Sequence, residues 1–360
     1  MDATRTAGRR ADRPIAITLG DPCGIGPEIV LKAFAAGLPA PCVVVGDVGL
    51  LRRESERLRL GLAIEPVASP AALAARAATD GLPSAFAHAP DPFAFSGAVA
   101  VIAATALPPD LPQGRLDARG GEAAYRYVCK AAELALRGEV RAVVTAPLAK
   151  EALNLAGHHW PGHTELLAHL AGDVPVRMML ANQELRTVLV TIHLALRQAL
   201  DALTPATVLE TLQITHRSLI RMGIETPRIA VAGVNPHAGE AGLFGREEID
   251  LLAPVIAQAR AQGIDARGPF APDTVFMRAR GFREFDVVIA MYHDQGLIPV
   301  KYLGLDEGVN ITIGLPFVRT SPDHGTAFDI AGQPGEQGSG LADPRSLMAA
   351  IEQADRLSRR

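Results

Sequence analysis

Cysteine is scarce in this chain. Cys23, Cys42 and Cys129 are the only three among 360 residues. They are scattered, with no C-x-x-C spacing, so a disulfide framework is excluded and a reducing compartment, the cytoplasm, is expected. Cys23 lies in a glycine-rich loop, where its plainest role is that of a small apolar filler. Aromatic residues make up 4% of the chain, none interleaved with Lys and Arg in a basic stretch, so nothing points to nucleic acid. No apolar run approaches the roughly 18 residues that a membrane span needs. The first twelve residues carry Arg5, Arg9 and Arg10 but no apolar core and no small-residue cleavage site. They are not a secretory signal, and Asp2 and Asp12 count against a transit peptide. A disordered leader over 1–12 is expected.

What is present is ordinary for a globular enzyme. Hydrophobic residues are 48%, charged residues 21%, and the formal net charge is −4. The length suits two domains. Pro14 to Leu19 reads as a buried strand and Gly20 to Glu28 as a tight turn. Ile29 to Ala36 reads as a helix with Pro27 in its first turn, and Pro41 to Gly46 as a second strand. Strands and helices keep alternating through Ala142–Leu148 and on to Asn310–Gly314, before a last helix near Pro344–Leu357. This alternation predicts an α/β fold with parallel strands. Leu107 to Gly121, rich in Pro, Gly and Asp, predicts a long surface loop.

Three histidines each follow an apolar, β-rich run. His193 follows Val188–Ile192, His237 comes soon after Ile229–Val234, and His293 follows Asp286–Tyr292. In an open parallel sheet, ligands bind beyond the strand carboxyl ends. Three imidazoles delivered there can share one divalent metal and leave positions open for substrate. The bland alternative for each alone is a hydrogen-bonded loop residue. Since the spacing matches no short local metal motif, convergence depends on the fold.

Other loops carry weaker signals. Gly24-Ile25-Gly26 lacks the third glycine of G-x-G-x-x-G, and Glu28 would oppose a pyrophosphate at that helix start, so a Rossmann site is not expected. Pro161 to Leu167 is a loop-to-helix junction where backbone N–H groups, Thr164 and His163 can hold a phosphate; a threonine helix cap is the alternative. Tyr292 to Gly332 carries His293, Asp294, Lys301, Asn310, Arg319, Asp323 and His324. Lys, Asn and Arg together suit a phosphorylated or carboxylated ligand. Asp273, in a Pro-rich loop, is expected to be buried and able to act as a base or as the partner of a ligating histidine; a plain turn aspartate is the alternative.

Taken together, these stretches resemble the 4-hydroxythreonine-4-phosphate dehydrogenase family. The likeness runs through Gly20-Asp21-Pro22, Gly24–Glu28, Gly162–Glu165, Asn235–Glu240, Tyr292–Gly296, Gly308–Asn310, Arg319–Ser321 and Asp323–Ala327. It spans about Ile15 to Gly332. The resemblance implies a two-domain fold like the isocitrate and isopropylmalate dehydrogenases, with a cleft between the domains. It puts 13–150 plus 320–360 in a first α/β domain and 151–319 in a second that carries the metal histidines. It implies a homodimer with its active site at the subunit interface. His193, His237 and His293 fall on the family's metal positions, and His163, Thr164, Lys301, Asn310 and Arg319 on its substrate positions. Lys301 and Asp273 are the candidates for catalysis.

The implied reaction is NAD-dependent oxidation of 4-phosphooxy-L-threonine at C3, then decarboxylation to 3-amino-2-oxopropyl phosphate, in pyridoxal 5'-phosphate biosynthesis. NAD against NADP, and zinc against cobalt or magnesium, are left open, and no nucleotide-contact residue is assigned. Rival readings are a related dehydrogenase of threonate or erythronate 4-phosphate, a metal-dependent hydrolase with a three-histidine zinc, and a silent phosphometabolite-binding protein. Only a dehydrogenase would produce NADH.

Overall fold

A computed structural model of the chain describes residues 13–72, 98–304 and 308–359. The 1–12 leader lies outside the described residues. The chain divides into two compact units, Met1–Val174 with Leu315–Arg360, and Pro175–Gly314.

The first unit begins with β1 (Ile15–Thr18), α1 (Gly26–Ala36), β2 (Cys42–Gly46), α2 (Val48–Arg57), β3 (Ala63–Pro66) and β4 (Ala98–Ala103). It continues with α3 (Ala118–Leu136), β5 (Ala142–Thr145), α4 (Lys150–Leu155) and α5 (His163–Leu170). β1, β2 and β5 are buried at every residue. That is why they read as unbroken apolar runs, as strands of a parallel sheet covered on both faces do. The expected loop at 107–121 is irregular up to Asp117, whose carboxylate caps α3 by accepting from the Arg119 N–H at 2.8 Å.

The second unit holds β6 (Arg177–Ala181), β7 (Arg186–Leu189), α6 (Leu196–Asp201), α7 (Pro205–Arg221), β8 (Ile229–Ala232), α8 (Ala253–Ala261), β9 (Ala266–Phe270), α9 (Pro272–Ala279), β10 (Val287–Ala290), α10 (His293–Leu303) and β11 (Val309–Ile313). Its strands lie in the order β11-β6-β7-β10-β8-β9. β7, β10, β8 and β9 run parallel, while β6 is antiparallel to both its neighbours. Its core includes Leu189, Ala230, Phe285, Val288, Ala290 and Val300.

The chain then returns to the first unit with β12 (Val318–Pro322) and α11 (Arg345–Ser358). β12 pairs in parallel with β5 and completes the order β3-β4-β2-β1-β5-β12. The helix α11 is fastened by the buried Arg141, which pairs with Asp355 and donates to the Ser358 hydroxyl at 2.8 Å. Such a buried charge is tolerable because it is paired and hydrogen-bonded.

The expected boundaries at 150 and 319 shift to Val174/Pro175 and Gly314/Leu315. The reason is packing. Both α4 and α5 lie on α3, and a Cβ at Gly121 would overlap the Ala152 carbonyl, so α3 and α4 approach backbone to backbone. Thus His163, Thr164 and Arg319 belong to the first unit, where the sequence reading had put them in the second.

Candidate active site

Chain order conceals the arrangement of the histidine-bearing strands. β10, the last of the three in sequence, lies between β7 and β8, and all three run parallel. His193, His293 and His237 therefore leave one edge of one sheet from three adjacent strands, with neighbouring strands about 4.8 Å apart. Pairing persists past the strand ends. The Val190 N–H donates to the Ala290 carbonyl at 2.9 Å, and the Thr191 hydroxyl to the Met291 carbonyl at 2.7 Å. Gln295 ties in the third strand: its Oε1 accepts from the Met291 N–H at 2.7 Å and its Nε2 donates to the Gly233 carbonyl at 2.7 Å.

The rings of His193 and His293 stand 5.6 Å apart between centroids. His293 Nδ1 lies 2.8 Å from Asp294 Oδ1, and His237 Nδ1 lies 3.0 Å from Glu240 Oε2. A carboxylate on Nδ1 fixes the tautomer and orientation of an imidazole and leaves Nε2 for a metal. His237 is not in ring contact with the other pair; its ring packs edge-on against Phe244 at 6.2 Å. Of the three expected metal ligands, His193 and His293 are in ring contact, and His237 follows the adjacent strand without joining them. Among the described residues, no group of three His, Cys, Asp or Glu side chains is arranged to hold a metal ion.

Backbone strain collects at this edge. His193 has φ 36°, and His237 to Ala241 all take left-handed conformations, with φ from 44° to 81°. Four of those five residues are not glycine, and each costs on the order of 1 kcal/mol. Glu248, 3% exposed, holds the loop in place. Its Oε1 accepts from the Val234 and Asn235 N–H groups at 2.6 and 2.8 Å, and its Oε2 from Asn235 Nδ2 at 3.0 Å. Backbone conformations of this kind cluster at active sites and ligand clamps.

Lys301 lies near the end of α10. The turn between β6 and β7 is fixed there by Asn182, which donates to the Val300 carbonyl at 3.2 Å while its Oδ1 accepts from the Glu184 and Leu185 N–H groups. Asn310 lies on β11, with its Oδ1 closed off from solvent and lacking a hydrogen-bond partner. Asp273 departs from expectation. It is exposed, in the first turn of α9. There the helix dipole favours a carboxylate whatever its function.

In the first unit, α5 starts at His163 with Gly162 as its N-cap and no side-chain cap. Thr164 is inside the helix, so it is not the cap, and the first-turn N–H groups face outward along the axis. His163 Nε2 is closed off from solvent and has no hydrogen-bond partner. Burial, with the Arg319 charge beside it, holds the His163 imidazole well below the usual histidine range. Arg319 is 3% exposed and donates to the Thr145 hydroxyl at 2.7 Å. Burial pulls its guanidinium down to about 10, with the Glu165 charge opposing, so it remains cationic at neutral pH. A buried cation beside a neutral imidazole and a helix N-terminus suits a phosphoryl group.

Sequence reasoning did not single out Thr145, Asn182, Gln295 as a strand tie, or Glu248. Only Gln295 carried a signal, through its place in Tyr292–Gly296.

The family model for pyridoxal phosphate biosynthetic protein PdxA matches residues 38–354. The chain is 49% identical over 350 residues to a 4-hydroxythreonine-4-phosphate dehydrogenase of Beijerinckia indica, covering 96% of this chain and 95% of that protein. It is 47% identical over 348 residues to a D-threonate 4-phosphate dehydrogenase of Salmonella typhimurium, covering 96% and 99%. A crystal structure of 4-hydroxythreonine-4-phosphate dehydrogenase from Klebsiella pneumoniae superposes with a TM-score of 0.82 at 44% identity, covering 96% and 99%.

Proposed function

The chain belongs to the PdxA family of pyridoxal phosphate biosynthetic proteins, and on that basis we propose that it oxidises 4-phosphooxy-L-threonine at C3 with NAD and decarboxylates the product to 3-amino-2-oxopropyl phosphate. The observation that carries this reading is the delivery of His193, His293 and His237 from three adjacent parallel strands to one sheet edge.

These three histidines are assigned to a divalent metal, zinc, cobalt or magnesium, with Asp294 and Glu240 orienting two of them. When bound, the metal supplies Lewis acidity that eases loss of the hydroxyl proton and stabilises negative charge on that oxygen as CO₂ departs. NAD, or NADP in its place, accepts the C3 hydride. His163, Thr164, Lys301, Asn310 and Arg319 are each assigned to substrate binding. Lys301 is assigned to the C3 oxygen, holding its proton through the oxidation and returning a proton during decarboxylation. Asp273 is assigned as a relay to solvent, a role its exposure allows. Alanine at either position with turnover intact would remove that residue from the mechanism.

A homodimer with its active site at the subunit interface is supported by where large apolar side chains are exposed. Leu194 and Leu196 follow His193, Leu243 and Phe244 follow the His237 loop, and Ile298 and Tyr302 lie on the helix that starts at His293. Large apolar side chains exposed on all three histidine-bearing segments fit an interaction site. The compartment proposed is the cytoplasm; no helix among the described residues is long and apolar enough to cross a membrane.

A second reading is favoured by the 47% identity to a D-threonate 4-phosphate dehydrogenase, in which a hydroxy acid replaces the amino acid. Either reading requires that a chelator abolish NADH formation and that added divalent metal restore it. NADH formation unaffected by exhaustive chelation would remove the metal assignment.

A further inference from the structure

We infer that the first unit's anion site binds a phosphoryl dianion together with one proton, taken up at His163. This rests on the reading above that His163, Thr164 and Arg319 hold the substrate phosphate.

His163 Nε2 is closed off from solvent and bonded to nothing. A buried polar atom left so costs free energy, and native structures rarely keep one without a purpose. The charge that bears on His163 comes from Arg319 on β12, itself buried and bonded to the Thr145 hydroxyl. Glu165, on His163's own helix, acts on Arg319. With no ligand, a second positive charge beside Arg319 is disfavoured, and the imidazole is neutral.

A phosphate monoester above its second pKa, near 6, carries two negative charges. One arginine cancels one of them. The remainder would be left beside the buried Arg319 and the buried His163 Nε2, where an uncompensated charge is costly. The imidazole is the titratable group placed to cancel it, and in its cationic form both ring nitrogens donate. The anion also reverses the field that kept His163 neutral. Binding and protonation therefore favour each other, and linkage makes the coupling reciprocal. Affinity for the dianion should fall as pH rises between the free and bound pKa values of His163, by up to tenfold per pH unit.

The test is calorimetric titration of the full-length protein with 4-phosphooxy-L-threonine at pH 7.5, without nicotinamide nucleotide so that nothing turns over. It is run in two buffers of different ionisation enthalpy. The inference predicts a buffer-dependent heat equivalent to nearly one proton taken up per site. It predicts that this uptake disappears in His163→Gln, which keeps a hydrogen-bonding side chain but cannot titrate, while weaker binding persists. Wild-type binding with the same heat in both buffers overturns the inference and leaves the phosphate assignment standing. Binding unchanged by Arg319→Gln, or no binding at all, overturns that assignment and the inference with it. The wild-type measurement decides the matter even if the His163 variant does not fold.

Discussion

Two of the three proposed metal histidines have a carboxylate on Nδ1, and this pairing is as important as their position. Outer carboxylates of this kind are worth about 10–100-fold in metal affinity or activity, and loss of a ligand itself should cost more. His293→Ala is therefore expected to lower bound metal and turnover by more than about 100-fold, and Asp294→Asn by about 10-fold, both read by elemental analysis and NADH formation. Arg319→Lys keeps the charge but loses the planar fork. The expected result is a KM raised about 10- to 100-fold, the worth of one or two charge-assisted hydrogen bonds. Asp21 is a different case. It is fully buried, with Oδ1 accepting from the Cys23 N–H at 2.8 Å and Oδ2 unpartnered. Burial, with the Asp117 charge adding to it, raises its carboxyl from 3.8 to about 6. The folded state thus binds the extra proton between those values, so stability falls as pH rises through that window, by about 3 kcal/mol in all. Asp21→Asn should recover stability in chemical unfolding at pH 8 and gain nothing at pH 3.5. Equal effects at both pH values would contradict the burial account.

At the element scale, α10 is the part that aims the site. A Cβ on Gly296 would stand 2.5 Å from Leu189 Cδ2 and 2.9 Å from Ala290 Cβ, so only glycine lets the helix lie against β7 and β10. Gly296→Ala is expected to cost about 1–3 kcal/mol in chemical unfolding, the usual penalty of overpacking. It should also lower metal content, because His293 begins the same helix. Full stability with unchanged metal binding would sink this account. The elements themselves were legible in the sequence wherever burial was uniform: β1, β2, β5, β8 and β10 each read as an apolar run because both faces are covered. The strand order was not legible, since nothing local to β10 reveals that it lies between β7 and β8. The left-handed turn at His237–Ala241 was also hidden, because four of its five residues ordinarily avoid that conformation, and the Glu248 carboxylate that fixes Val234 and Asn235 just before it is a contact made through the fold. Asp273 was misread for a related reason. Its Pro-rich stretch resembles a buried turn, but α9 already starts at Pro272 and leaves the Asp273 carboxylate exposed in its first turn.

At the scale of the whole molecule, two units were legible in the sequence, but their boundaries, set by α4 and α5 packing on α3, were not, so His163, Thr164 and Arg319 were expected in the wrong one. Exposed Leu196, Leu243 and Tyr302 (58%, 73% and 91% exposed) are expected to be covered in solution by a second copy. Light scattering should give twice the chain mass of 37.9 kDa, and charged substitutions at Leu243 and Tyr302 should shift it toward one. The central claim is the oxidation of a 4-phosphorylated amino acid at a histidine-bound metal. Its most direct test is NADH formation, followed by absorbance, from 4-phosphooxy-L-threonine with NAD and divalent metal, with threonate and erythronate 4-phosphates run in parallel. The account predicts metal-dependent NADH, fastest with the amino acid. Faster turnover of a hydroxy acid would move the protein to the other branch of its family, and no NADH from any of the three with metal bound would contradict the account outright.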